Sequence, residues 1–232
     1  MGCGKLLLMN ESQAVVFDMD GVIVDSGEVW QRIISELFID YGFSLSDLSR
    51  DAFAGGDNSW QWASYLRQTV GIPLGEQQII DRVIASLLTT FEKNISLLQG
   101  ARETIACLAD CYPVALASSS PRPVIAFILE RTGLLRHFTT WISSDDVSRG
   151  KPMPDVYLEA CYQLNMRPEC CVAVEDSRAG IRAAKAARMK VIAIPQPLLP
   201  LDQDTLDLAD KTLDSISCLR SDTISDLLAG SC

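Results

Sequence analysis

Only one histidine occurs in the 232 residues, His137, and none of the eight cysteines belongs to a C-x-x-C pair. Cys107 and Cys111 stand four apart on one face of an expected helix, while Cys170 and Cys171 are adjacent, a poor geometry for sharing one ion. A structural zinc site is thereby excluded, and the cysteines read as buried, reduced thiols of a cytosolic protein rather than as a disulfide framework. No apolar run approaches the roughly 18–20 residues that span a bilayer. The stretch Lys5-Leu6-Leu7-Leu8-Met9 is too short for a signal-peptide core and Glu11 follows at once, so no export signal is read and the cytoplasm is the expected location. Positive charge is scarce as well: 20 Lys and Arg stand against 30 Asp and Glu, a net charge of -10. Without a basic stripe the chain is not a phosphate-tracking binder of nucleic acid. Internal repeats and low-complexity tracts are also missing.

What remains is an ordinary globular composition, 48% hydrophobic and 22% charged, in a chain long enough for one large domain or a core with an insert. Residues 14–18 read as a buried strand. From Ser26, a plausible helix cap, the period changes: Val29, Trp30, Ile33, Ile34, Leu37, Phe38 and Tyr41 share one helical face, and Gly42 ends it. A second helix is expected near 59–70. In a third, Ile79, Ile80, Val83, Ile84, Leu87, Leu88, Phe91 and Ile95 keep helical spacing. Residues 26–97 contain no convincing strand and read as a helical insert whose helices pack on one another.

After Gly100 the pattern alternates: helix 101–110, strand 113–118, helix 122–132, strand 139–143, helix 154–165, strand 171–175, helix 178–187, strand 190–194. A proline-rich loop follows, then a short strand near 211–213 and a helix near 222–229. Continuous apolar strands between amphipathic helices predict an α/β fold, a doubly wound parallel sheet with helices on both faces. The expected division is a core of residues 1–25 and 98–232 and a helical cap of residues 26–97. Ligands of such sheets bind outside the carboxyl ends of the strands.

Chemistry-bearing residues cluster at those ends. Asp18 and Asp20 close the first strand, Ser118 the second, Glu175 and Asp176 the 171–175 strand, and Lys151 follows the 139–143 strand. Asp18 suits a nucleophile, an ionised carboxylate able to accept a phosphoryl group. Its repulsion from a phosphate dianion calls for magnesium, held by Asp18, Asp176, Glu175 and Asp20, the last through its main-chain carbonyl. Lys151 would hold the nucleophile and the developing charge, and Ser118 with Ser119 would bind phosphate oxygens. Asp20 has the place of a general acid for a departing alkoxide and then of a base for water. Each segment alone has a plainer reading. Asp18-Met19-Asp20-Gly21 and Gly150-Lys151-Pro152 pass for turns, Ser119 or Ser120 for the cap of helix 122–132, and Glu175-Asp176-Ser177 for the cap of helix 178–187. Their joint order at strand ends is what favours the chemical reading.

In these segments the chain resembles the haloacid dehalogenase-like hydrolase superfamily. Phe17-Asp18-Met19-Asp20-Gly21-Val22, Ala117-Ser118-Ser119-Ser120, Gly150-Lys151-Pro152-Met153-Pro154-Asp155 and Val174-Glu175-Asp176-Ser177-Arg178-Ala179-Gly180-Ile181 match its four motifs. The likeness covers nearly the whole chain, including a helical cap after the first motif, and is closest to the subgroup of β-phosphoglucomutase and the sugar-phosphate phosphatases such as 2-deoxyglucose-6-phosphate phosphatase. The second aspartate of the first motif implies phosphoryl transfer, since the dehalogenases lack it. Mutases carry a histidine on the first cap helix where this chain has Trp30, and a cap arginine for which Arg50 and Arg67 are the candidates here. Residues 26–97 hold five Lys or Arg against nine Asp or Glu. That balance favours a magnesium-dependent phosphatase over a mutase, and the intact set of carboxylates with Lys151 argues against a non-catalytic module that merely keeps the metal site. The expected partner is a small phosphate ester, and the expected state is a monomer or weak dimer. Trp60 and Trp62 are expected in the helical core, and Trp30 either there or stacked on a sugar.

Overall fold

The computed structural model describes residues 12–43, 57–197 and 200–230. Six strands form one all-parallel sheet: β1 Ala14–Phe17, β2 Val114–Ser118, β3 Thr140–Ser143, β4 Cys171–Glu175, β5 Lys190–Ala193 and β6 Lys211–Thr212. Their order is β3-β2-β1-β4-β5-β6. Val15 lies opposite Val114 on one side and Val172 on the other, so β1 is the central strand, buried along its whole length. Alternate residues feed two apolar layers. Val15 and Phe17 pack with α4 Ala101–Ala109, α5 Arg122–Thr132 and α9 Ser221–Leu228, whereas Ala14 and Val16 pack with α6 Asp155–Gln163 and α7 Arg178–Ala186. The small residues Ala14, Ala115, Ala117 and Ala173 line this second layer, letting α6 and α7 sit close.

The chain builds outward from β1 through β2 to β3 and then returns to lay β4 beside β1. This reversal opens a crevice at the carboxyl end of β1, the place where a doubly wound sheet binds ligands. The expected α/β fold is thus the observed one.

Between β1 and β2 the chain makes a helical excursion: α1 Gly27–Asp40, α2 Ser59–Tyr65 and α3 Glu76–Lys93. Its two ends run side by side. The Asp25 N–H donates to the Ser96 carbonyl and the Leu98 N–H to the Ile23 carbonyl, each at 2.9 Å. Helices α1 and α2 pack on α3, as expected of the insert, and α3 also packs on α5 of the sheet layer.

Several expectations are corrected. The helix near 59–70 is α-helical only to Tyr65; Leu66–Val70 widens into a π-helical turn that Gly71 ends with φ +91°. Ile95 falls outside α3, because Asn94 is already extended. A one-turn helix, α8 Gln203–Leu206, lies in the tail read as loop, capped by the Asp202 carboxylate on the Thr205 N–H. Trp62 packs against the core, but Trp60 is 56% exposed. Of the described cysteines, Cys161, Cys170 and Cys171 are buried as expected, while Cys107 and Cys218 are exposed. Arg50 and the run Lys5 to Met9 lie outside the described residues. No helix among the described residues is long and apolar enough to cross a membrane.

Candidate active site

Asp18 is the first residue past β1, and its N–H still bonds to the Val174 carbonyl of β4 at 3.0 Å. The sheet itself therefore fixes the nucleophile candidate. Lys151 reaches it from the loop between β3 and α6. The Lys151 ammonium lies 2.5 Å from Asp18 Oδ1, 2.7 Å from Glu175 Oε1 and 3.0 Å from the Ala117 carbonyl. Three hydrogen bonds use all three protons of the ammonium. The Gly150-Lys151-Pro152 segment is a turn with Pro152 exposed, as its plainer reading has it, but the Lys151 side chain is only 2% exposed and points inward.

Glu175, the last residue of β4, is wholly buried and accepts five hydrogen bonds. Lys151 and the Tyr157 hydroxyl (2.6 Å) meet Oε1; the Asp176 N–H, the Ser177 N–H and the Ser177 hydroxyl meet Oε2. Ser177 in turn caps α7, its oxygen accepting from the Gly180 N–H at 3.0 Å. The helix cap of the plainer reading is thus present at this junction. Gly180 is required by space: a Cβ there would stand 1.7 Å from Glu175 Oε1.

Burial dominates the electrostatics. It pushes the Asp18 carboxyl up to about 8, against the pull of Lys151 and aided by Glu175 and Asp20. Asp176 is likewise driven well above the carboxylate range by burial, then by Asp18 and Glu175. Burial alone would lower Lys151, but the adjacent Asp18 and Glu175 more than offset it and hold the ammonium charged. Carboxyls raised in this way lack a positive charge.

Asp18, Glu175 and Asp176 each offer an oxygen within 4.8 Å of the others. Gly21, at φ +76°, closes over this group, where a Cβ would stand 1.8 Å from Asp176 Oδ2. Its carbonyl accepts from the Gln196 amide at 2.6 Å, which pins the loop. All-oxygen donors with an excess of buried negative charge fit a hard divalent cation such as magnesium and not a soft one.

The Asp20 carboxylate is not among the clustered oxygens. Its Oδ1 accepts from the Ser26 hydroxyl at 2.5 Å and the Trp30 indole at 3.2 Å; its Oδ2 accepts from Ser120 at 2.7 Å and Ser118 at 3.4 Å. Two helix-cap readings fail here. Ser26 stands at the N-cap position of α1 with no capping bond from its side chain, and Pro121 holds the N-cap position of α5. Ser118 is fully buried and accepts from the Ser120 N–H at 3.0 Å, while Ser119 is half-buried with its hydroxyl 3.5 Å from that of Ser144.

Ser120, Ser26, Trp30 and Tyr157 are the site residues that sequence reasoning left out or placed elsewhere. Ser120 carried a signal by its nearness to Ser118, and Trp30 by its place on the first helix of the insert, where sugar stacking is one of its two expected roles; Ser26 and Tyr157 carried none. Arg67, one candidate for a second-phosphate clamp, is paired with Glu76 at 2.5 Å.

Comparison with known proteins agrees with this geometry. The sequence profile of the haloacid dehalogenase-like hydrolases matches residues 13–188. Hexitol phosphatase B of Escherichia coli K12 is 34% identical over 218 residues, covering 93% of this chain and 96% of the relative. Beta-phosphoglucomutase of Bacillus subtilis is 29% identical, covering 87% and 92%. The crystal structure of CbbY from Rhodobacter sphaeroides in complex with phosphate superposes with a TM-score of 0.78 at 27% identity, over 90% of this chain and 96% of that one. Strand-end carboxylates, the buried lysine and this profile together make the chain a member of the haloacid dehalogenase-like hydrolase family.

Proposed function

We propose that this hydrolase is a magnesium-dependent phosphatase of small phosphorylated sugars or sugar alcohols, acting through an aspartyl phosphate on Asp18. The enzyme class, phosphoric monoester hydrolase, rests on the family and on phosphatase relatives over nearly the full chain. One observation carries the mechanism: a buried lysine holds Asp18 within reach of two further carboxylates at the switch point of the sheet.

Asp18 Oδ attacks phosphorus while the P–O bond to the sugar breaks, and Asp20 gives its proton to the departing oxygen. Asp20 then takes a proton from the water that attacks the acyl phosphate, which restores Asp18 and frees phosphate. Lys151 holds Asp18 and balances charge on the transferring group. Ser118 and Ser119 bind its oxygens. Magnesium, when bound, supplies the positive charge that lets an anionic ester approach an anionic nucleophile. Asp18, Asp176 and the Asp20 main-chain carbonyl are the groups we assign to it. Glu175, its oxygens already occupied, holds Lys151 and the Asp176 turn. Residues 26–97 act as a cap that closes over the ester and excludes water.

Among the described residues of that segment, Arg32, Arg67 and Arg82 pair with Glu36, Glu76 and Asp40, which argues against a clamp for a second phosphate. The test is turnover of a hexitol phosphate with magnesium, and of β-glucose 1-phosphate. We expect free phosphate from the first and no glucose 6-phosphate from the second. Asp18→Asn is expected to abolish phosphate release while leaving the fold intact; retained turnover would sink the nucleophile assignment.

A further inference from the structure

The inference concerns Trp30 and rests on Asp20 acting as the acid. Four donors surround the Asp20 carboxylate, two on each oxygen. Three are serine hydroxyls, which rotate and can accept as readily as donate. A hydroxyl therefore tolerates either a bare oxygen or a protonated one. The indole N–H of Trp30 only donates. Its bond of 3.2 Å to Oδ1 is strongest while that oxygen is the unprotonated one. The ring is part-buried against the apolar cluster in the first turn of α1, where the main-chain N–H of Trp30 donates to the Ser26 carbonyl at 3.0 Å and fixes the backbone that carries it.

We propose that Trp30 is a positioning residue for proton transfer: its indole keeps Oδ1 of Asp20 bare and so places the acidic proton on Oδ2. That oxygen accepts from Ser118 and Ser120 at the end of β2, the side to which the proposed function assigns the phosphate ester. The proton then passes from Oδ2 to the ester oxygen as the P–O bond breaks, and Asp20 is left as a carboxylate whose Oδ1 still accepts from the indole. A sugar alkoxide needs this proton to leave. A nitrophenolate does not.

The test replaces Trp30 by its isostere with sulfur in place of the indole N–H, and separately by phenylalanine (Trp30→Phe). The readout is kcat/KM, which reports the steps up to Asp18 phosphorylation, for a hexitol phosphate and for 4-nitrophenyl phosphate. We expect about a tenfold fall on the hexitol ester, the worth of one hydrogen bond to a charged group, and less than about threefold on the aryl ester. The isostere preserves volume, so a Trp30→Phe variant that fails to fold leaves the measurement standing. Equal losses on both esters, or no loss on either, would overturn the inference. Asp20→Asn serves as the control for the underlying reading. If it loses no more on the hexitol ester than on the aryl ester, Asp20 is not the acid and the reading beneath fails. If it does lose more while the isostere is silent, only the role of Trp30 falls.

Discussion

At the scale of single residues, the site is a solution to crowding. Asp18, Glu175 and Asp176 share one buried space with a single ammonium, and Lys151 is the only described cation bonded to any of them. Glycines make room for the carboxylates. Gly180 lies under Glu175 so closely that one methyl group would displace its oxygens. Gly180→Ala is therefore expected to cost about 1–3 kcal/mol of stability, the usual penalty of overpacking, and to lower turnover because Lys151 loses its Glu175 anchor. Urea unfolding and phosphate release measure the two effects; a variant as stable and active as the parent would show that Glu175 can yield without consequence.

At the scale of elements, the helices of the excursion touch the site by their N-termini. Helix α1 sends Ser26 and Trp30 to Asp20. Helix α2 is seated on the sheet layer: the Asp145 carboxylate, just past β3, accepts from the Ser59 N–H at 2.7 Å and the Ser59 hydroxyl at 2.8 Å. Beside it the Gly150 N–H donates to the Gln61 side chain at 3.2 Å, one residue before Lys151. Negative charge at a helix N-terminus satisfies orphan N–H groups and opposes the helix dipole. Asp145→Ala should thus loosen α2 by about 1 kcal/mol, the worth of one such cap, and raise KM for the sugar phosphate roughly fivefold with kcat little changed. An unaltered KM would mean that this seat has no part in closure.

At the scale of the whole molecule, stability is tied to pH through the buried carboxyls. The folded Asp18 carboxyl sits at about 8, against 3.8 for the ordinary side chain. Between those values the folded protein binds more protons than the unfolded chain, so this contribution is full below 3.8 and is lost as pH rises through about 8. Asp176 acts in the same direction. Without divalent cations, the melting temperature of the parent relative to Asp18→Asn should fall across this window. Magnesium should raise it most at the alkaline end, where no proton competes. A difference that stays level with pH would show that burial does not hold Asp18 protonated.

How far the sequence reaches follows from the range of each interaction. Strands and helices depend on period and on neighbours a few residues away, so the alternation after Gly100 foretold the sheet, and the apolar spacing foretold α1 and α3. Carboxylates at strand ends were legible for the same reason: in a doubly wound sheet, position along a strand already says which edge a residue faces. Direction of a side chain is a different matter. Ser26 stands at the N-cap of α1 and Ser120 one residue before that of α5, yet both hydroxyls turn to the half-buried Asp20 carboxylate, which needs donors once part of its water is removed. The amino-acid order by itself determined the fold class, the placing of carboxylates at strand ends and the helical excursion. Only the folded structure decided which oxygen meets which donor, since the bonds that bring the strand ends together join residues as far apart as Asp18 and Lys151, 133 positions, and no local pattern encodes them.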